Sequence, residues 1–182
     1  YRAAPMKLLL GTRASALALA QSTWVADLLR EGGHEVELVR IVTRGDTETH
    51  APVPELGGKG LFTAELESAL GDGRIHLAVH SLKDLPTEDA PGLVVAAVPP
   101  REDPRDAVVA RAPLKDLPPG ARIGTASLRR RALLAWRHPD LDAVPLRGNV
   151  DTRLGKVADG GIDGVVLAAA GLHRLGRRDA IT

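Results

Sequence analysis

The 182-residue chain contains no cysteine, carries a formal net charge of +1 from 24 basic and 23 acidic side chains, and is 44% hydrophobic. Zero cysteine excludes a disulfide scaffold, a thiolate metal site, a cysteine nucleophile and a thioether-linked cofactor within these residues. Near-neutral charge and four aromatics (Tyr1, Trp24, Phe62 and Trp136) argue against nonspecific nucleic-acid binding and base stacking. Arginine outnumbers lysine 19 to 5, and a guanidinium fork matches a carboxylate or phosphate bidentately where lysine offers a point charge.

In chain order, residues 7–10 read as a short apolar strand. Residues 15–30 carry a helical stripe through Leu17, Ala20, Trp24 and Leu28. The apolar start imitates a secretory signal, but Gly11-Thr12-Arg13 interrupts it with a charge, so a cytoplasmic location is expected. Residues 35–43 alternate as a strand, and 44–59 lack periodicity and read as a mobile loop. A helix is expected over 61–70, with strands over 75–79 and 93–98. Residues 99–104 (PPREDP) form a proline-rich break, giving lobes at 1–99 and 105–182 joined by a hinge at 100–104. In the second lobe the pattern gives strands at 107–110, 122–124, 143–146 and 164–167. Its helices fall at 127–137 and 150–158, with one more from about 169 toward the end. Alternating strands and helices are the α/β signature.

Two segments echo each other. Gly11-Thr12-Arg13-Ala14-Ser15 and Gly124-Thr125-Ala126-Ser127 each end a strand in Gly-Thr and place a serine where a helix opens. Serine there caps free backbone N–H groups, and a helix N-terminus attracts anions. One copy is merely a good cap; two copies favour an anionic ligand. His80-Ser81-Leu82-Lys83-Asp84-Leu85-Pro86 follows a predicted buried strand, where open α/β sheets place their ligands. Asp84 there suits acid/base work or stabilisation of a cation, and an ordinary exposed turn is the competing reading. Arg129, Arg130 and Arg131 crowd the first turn of a helix, which opposes the helix dipole unless an anion is expected. Arg147, Arg153 and Arg174 also stand beside strand ends.

Other motifs fall away. Gly57-Gly58-Lys59-Gly60 lacks the Ser or Thr and the earlier Gly of a phosphate loop. His76 and His80 have helical ligand spacing but lie in a predicted strand, about 13 Å apart. No metal set and no Ser-His-Asp arrangement is expected.

Together these motifs resemble the porphobilinogen deaminase (hydroxymethylbilane synthase) family. The matching segments are Gly11–Ser15, Thr43–Asp46, Gly58–Phe62, Val79–Asp84, Arg101–Asp106, Gly124–Arg130, Arg147–Arg153 and Ala170–Gly176. The resemblance implies an α/β fold of two lobes like type II periplasmic binding proteins, plus a third α+β domain not present in these residues. It implies a transferase of tetrapyrrole (heme) biosynthesis that deaminates four porphobilinogen molecules and joins them into hydroxymethylbilane. Growth starts on a dipyrromethane cofactor held by a cysteine of the third domain, so these residues alone are expected to be inactive.

By resemblance, Asp84 is the catalytic carboxylate, assisting ammonia loss and stabilising positive charge on the pyrrole nitrogens. Lys83, Ser127, Arg129 and Arg130 hold cofactor carboxylates, while Arg13, Ser15, Arg147, Arg153 and Arg174 bind substrate or the growing chain. Asp46 to Lys59 bounds a mobile cover. The expected partners are porphobilinogen and oligopyrrole, with no nucleic acid or membrane, in a monomer. The rival reading is a carboxylate-binding module without catalysis; such a module gains nothing from a carboxylate among its arginines.

Overall fold

A computed structural model describes residues 4–47, 61–88 and 90–182. The chain divides into two compact units, Tyr1–Pro99 and Pro100–Thr182.

The first unit is built on a parallel sheet in the order β2-β1-β3. Strand β1 (Lys7–Thr12) is followed by α1 (Ala16–Glu31), β2 (Glu35–Arg40), the single turn α2 (Arg44–Thr47), α3 (Ala64–Gly71) and β3 (Leu77–Ala78). Alternation in β1 sends Leu10 into the core with Ala26 of α1 and Val36 of β2. The Ser15 hydroxyl accepts from Ala18 N at 3.3 Å and so fixes where α1 begins. Leu66, Ala69 and Ile75 form a second buried cluster against the other side of the sheet's strands. His76 Nδ1 accepts from Leu9 N at 3.0 Å, so this imidazole serves the β1–β3 seam.

The second unit carries a mixed sheet in the order β4-β7-β5-β6. Its elements are β4 (Asp106–Ala110), β5 (Arg122–Gly124), α4 (Leu128–Arg137), β6 (Asp142–Val144), α5 (Val150–Ala158), β7 (Gly164–Ala168) and α6 (Ala169–Arg174). Strand β4 runs antiparallel to β7, whereas β5 is parallel to both its neighbours. The near-continuous apolar run of β7 fits a strand covered on both faces. Ser127 caps α4 by accepting from Arg130 N at 3.4 Å. Asn149 caps α5 by accepting from Thr152 N at 2.8 Å, and Gly148 before it takes φ +111, which an L side chain rarely adopts.

Three sequence expectations are corrected. Residues 93–98 form no strand: Val94, Val95 and Val98 are exposed, and the apolar pattern has no partner strand among the described residues. The last helix stops at Arg174, where Gly176 in the left-handed region (φ +65) ends it. Residues 44–47, read as loop, form α2; the rest of that segment, including Lys59, lies outside the described residues. No described helix is long and apolar enough to cross a membrane.

Candidate functional site

In the first unit, the C-terminal ends of β1 and β3 carry Arg13 and His80. Arg13 reaches back to α2, donating from Nε to Asp46 Oδ1 at 3.1 Å and from Nη2 to the same oxygen. Asp46 Oδ2 also accepts from Thr43 N (3.2 Å) and Thr43 Oγ1 (2.8 Å). Burial works against this carboxylate's charge, but the bonds from Arg13 and Thr43 outweigh it and hold Asp46 below the usual aspartate value. The Arg13 guanidinium also lies 4.2 Å from the centre of the Phe62 ring. Gly45 N donates to Leu61 O at 2.8 Å, and a side chain at 45 would collide with Phe62, so glycine lets α2 close onto residues 61 and 62. Asp46, Thr43 and Phe62 therefore fix the orientation of Arg13.

His80 is half-buried, and loss of solvent pushes its pKa below the ordinary histidine value. Three charges act on it: Asp84, Arg13 and Glu67. Asp84 and Lys83 sit on an exposed 3₁₀ turn (Leu82–Asp84) whose preceding residue, Ser81, donates to Gln21 Oε1 at 3.0 Å. Gln21 is itself buried on α1, so that helix supports the turn. The Asp84 carboxylate accepts no hydrogen bond from a described residue.

In the second unit the arginines gather around the starts of α4 and α5. Asp106, first residue of β4, accepts from Arg129 Nη1 (2.8 Å) and from Arg130 Nη2 (2.8 Å) and Nε (3.0 Å). Burial raises the Asp106 pKa, but the two guanidiniums prevail and lower it overall. Arg153 donates from Nε to Gly148 O at 2.7 Å. Its pKa is pushed down by burial first, and then by the like charges of Arg130 and Arg147. Arg147 Nη1 is buried without a hydrogen-bond partner among the described residues. Arg174 stands nearby in sequence to the pair His173 Nδ1–Glu102 Oε1 (3.1 Å) and adds its field to that of His173 in lowering the Glu102 pKa, whose largest cause is the Asp103 N–H.

A family model described as "Porphobilinogen deaminase, dipyromethane cofactor binding domain" matches residues 8–182. The chain belongs to the porphobilinogen deaminase family. It is 55% identical over 170 residues to the porphobilinogen deaminase of Syntrophotalea carbinolica, covering 91% of this chain and 54% of that protein. Identity to the deaminase of Thermobifida fusca is 56% over 176 residues, covering 95% and 55%. The chain spans about half the length of the curated relatives it matches. Among solved structures, it resembles an amino-acid ABC transporter extracellular-binding protein of Bacillus subtilis with TM-score 0.50 at 10% identity, covering 98% of this chain and 77% of that one. This likeness shows a shared fold, that of type II periplasmic binding proteins.

Within this porphobilinogen deaminase fold, the structure distributes the sequence-selected residues between the units. Arg13, Ser15, Asp46, Lys83 and Asp84 belong to the first, and Ser127, Arg129, Arg130, Arg147, Arg153 and Arg174 to the second. Ser15 and Ser127 both cap helices, as their shared motif suggested. Sequence reasoning gave no role to Asp106, Thr43, Gln21 or Phe62. The only signal for Asp106 and Phe62 was their presence in family-matching segments, and Gln21 carried none beyond its place on a helical face.

Proposed function

We propose that the polypeptide acts as a porphobilinogen deaminase, releasing ammonia from porphobilinogen and joining four such units head to tail into hydroxymethylbilane. The observation that carries this reading, in a member of this family, is Asp84: an exposed carboxylate on the turn after β3 that accepts no hydrogen bond from a described residue. A pure anion-binding module has no use for an unengaged carboxylate on that turn. Asp84 would accept a pyrrole N–H and stabilise the positive charge that develops as ammonia leaves. Arg13, aligned by Asp46 and Phe62, and Ser15, capping α1, would orient substrate carboxylates in the first unit, and Lys83, on the same turn as Asp84, would hold cofactor carboxylates.

In the second unit, Ser127 opens α4 with Arg129 and Arg130 in its first turn, donors that suit the carboxylates of this family's dipyrromethane, and the buried, unpaired Arg147 Nη1 suits a further acid group. Ser127, Arg129 and Arg130 would hold its acetate and propionate groups, while Arg147, Arg153 and Arg174 take the acid groups of incoming pyrroles. When bound, the cofactor supplies the pyrrole from which the product grows. Its thiol anchor must come from outside these residues, because they contain no cysteine. The same reading carries the expectations of a cytoplasmic location and a monomeric state.

The test is Asp84→Asn in cofactor-loaded protein, followed by product absorbance after acid oxidation to porphyrin. Turnover is expected to fall at least 100-fold with the cofactor still attached. Turnover like that of the parent would remove the assigned role.

A further inference from the structure

We infer that Gln21 of α1 is a positioning residue for Asp84: through the Ser81 hydroxyl it tethers the turn that carries this carboxylate. The inference rests on the reading of Asp84 as the catalytic carboxylate, and it adds a buried amide that acts only through Ser81.

Ser81 stands where Ser15 and Ser127 stand, immediately before a helical turn, yet its hydroxyl is used differently. Ser15 and Ser127 each accept from an N–H of their own helix, whereas Ser81 makes no such cap. Its Oγ instead donates to Gln21 Oε1 at 3.0 Å, across 60 positions of sequence. The Ser81 carbonyl meanwhile accepts from Asp84 N at 2.9 Å and closes the turn. Ser81 thus holds Gln21 with its side chain and Asp84 with its backbone.

Little else holds this segment. Strand β3 pairs with β1 only at Leu77 and Ala78, and the next bond, from Val79 N to Gly11 O, is long at 3.4 Å. Among the described residues, the Ser81–Gln21 bond is the one hydrogen bond that ties residues 80–84 to another element. The Asp84 carboxylate has no bond of its own, so the backbone of the turn sets its place. Gln21 is a firm post: it is buried, and its helix is seated on the sheet by Ala26, packed with Leu10 and Val36. That helix also begins beside Arg13 and Ser15. The amide therefore fixes the spacing between the Asp84 turn and the residues that orient substrate.

The experiment joins steady-state kinetics of cofactor-loaded protein with amide hydrogen exchange in the 182-residue chain. The variants are Gln21→Leu, Ser81→Ala, Ser81→Thr and the double variant Gln21→Leu/Ser81→Ala. In Gln21→Leu and in Ser81→Ala, kcat is expected to fall about tenfold with KM within about twofold of the parent, because the carboxylate is misplaced while substrate binding is kept. Ser81→Thr keeps the hydroxyl and is expected to keep kcat within about threefold. The double variant should lose no more than Gln21→Leu does, since both changes remove the same contact. The Asp84 N–H is expected to exchange about tenfold faster in Gln21→Leu, while the N–H groups between β1 and β2 keep their rates; a general loss of stability would speed both. The inference is overturned by a kcat within about twofold of the parent in Gln21→Leu. Ser81→Thr as slow as Ser81→Ala, losses that multiply in the double variant, or an unchanged Asp84 exchange rate also overturns it. If Gln21→Leu does not fold, Ser81→Ala decides in its place. If the parent makes no product, the enzyme reading fails, and the exchange rates alone decide whether the tether stands.

Discussion

Removing the Asp46 carboxylate is expected to destabilise the first unit by an amount the geometry bounds. Asp46 accepts from the Arg13 guanidinium and from both donors of Thr43, and both partners of the ion pair are about four-fifths buried. A hydrogen bond to a charged group contributes roughly 1.5–3 kcal/mol. The four contacts share one carboxylate and are not additive, and Arg13 keeps its contact with Phe62 and can turn partly toward water. Asp46→Ala should therefore cost about 2–3 kcal/mol at pH 7. With a urea m-value of about 2 kcal/mol/M, the unfolding midpoint falls by roughly 1 M.

The pH dependence gives a second handle on the same pair. The folded Asp46 carboxyl lies below its ordinary value. Its contribution is complete above the unfolded value of about 4 and is lost as pH falls through the lower folded value. The stability gap between parent and Asp46→Ala should close as the solution is acidified below about pH 4. A double-mutant cycle with Arg13→Met should show coupling above about 1 kcal/mol. A gap under about 0.5 kcal/mol at pH 7, or one that does not change with pH, refutes the clamp.

Two further outcomes are expected. The folded pKa of His80 is lowered, chiefly by burial, so its contribution is complete above about pH 6.5 and declines as pH falls toward the folded value. His80→Gln should flatten urea stability between about pH 6.5 and 5, and a slope equal to that of the parent argues against a buried neutral imidazole. Arg147→Met removes an unpaired buried donor, so thermal stability should hold or rise slightly while succinate affinity falls about tenfold. A clear loss of stability would mean that Nη1 is satisfied in solution.

Local signals in the sequence translated well into local structure. Ser15 and Ser127 announced helix starts because a cap needs only a short polar side chain and the N–H groups three residues on. The bounds expected for β5 and α5, 122–124 and 150–158, are those observed. What stayed hidden was long-range pairing. Arg13 and Asp46 are 33 positions apart, and Asp106 and Arg130 are 24 apart; nothing in either segment names the other. Residues 93–98 misled for the same reason. Their continuous apolar run is strand-like, but a strand exists only with a neighbour, and pattern does not report neighbours. The arginine surplus pointed to anions without showing that Arg129 and Arg130 already share a carboxylate.

That sharing has a consequence for selectivity. Arg129 and Arg130 share Asp106, the charges of Arg130 and Arg147 act on Arg153, and among the described residues Asp106 is the one carboxylate ion-paired with any of the four. A chain whose total charge is only +1 thus concentrates a deficit of about three negative charges in one small region of its second unit. Such a region ranks visitors by how many acid groups they bring before it ranks them by shape. A monoacid leaves most of the deficit standing, and a molecule bearing several carboxylates on one frame cancels it in a single binding event.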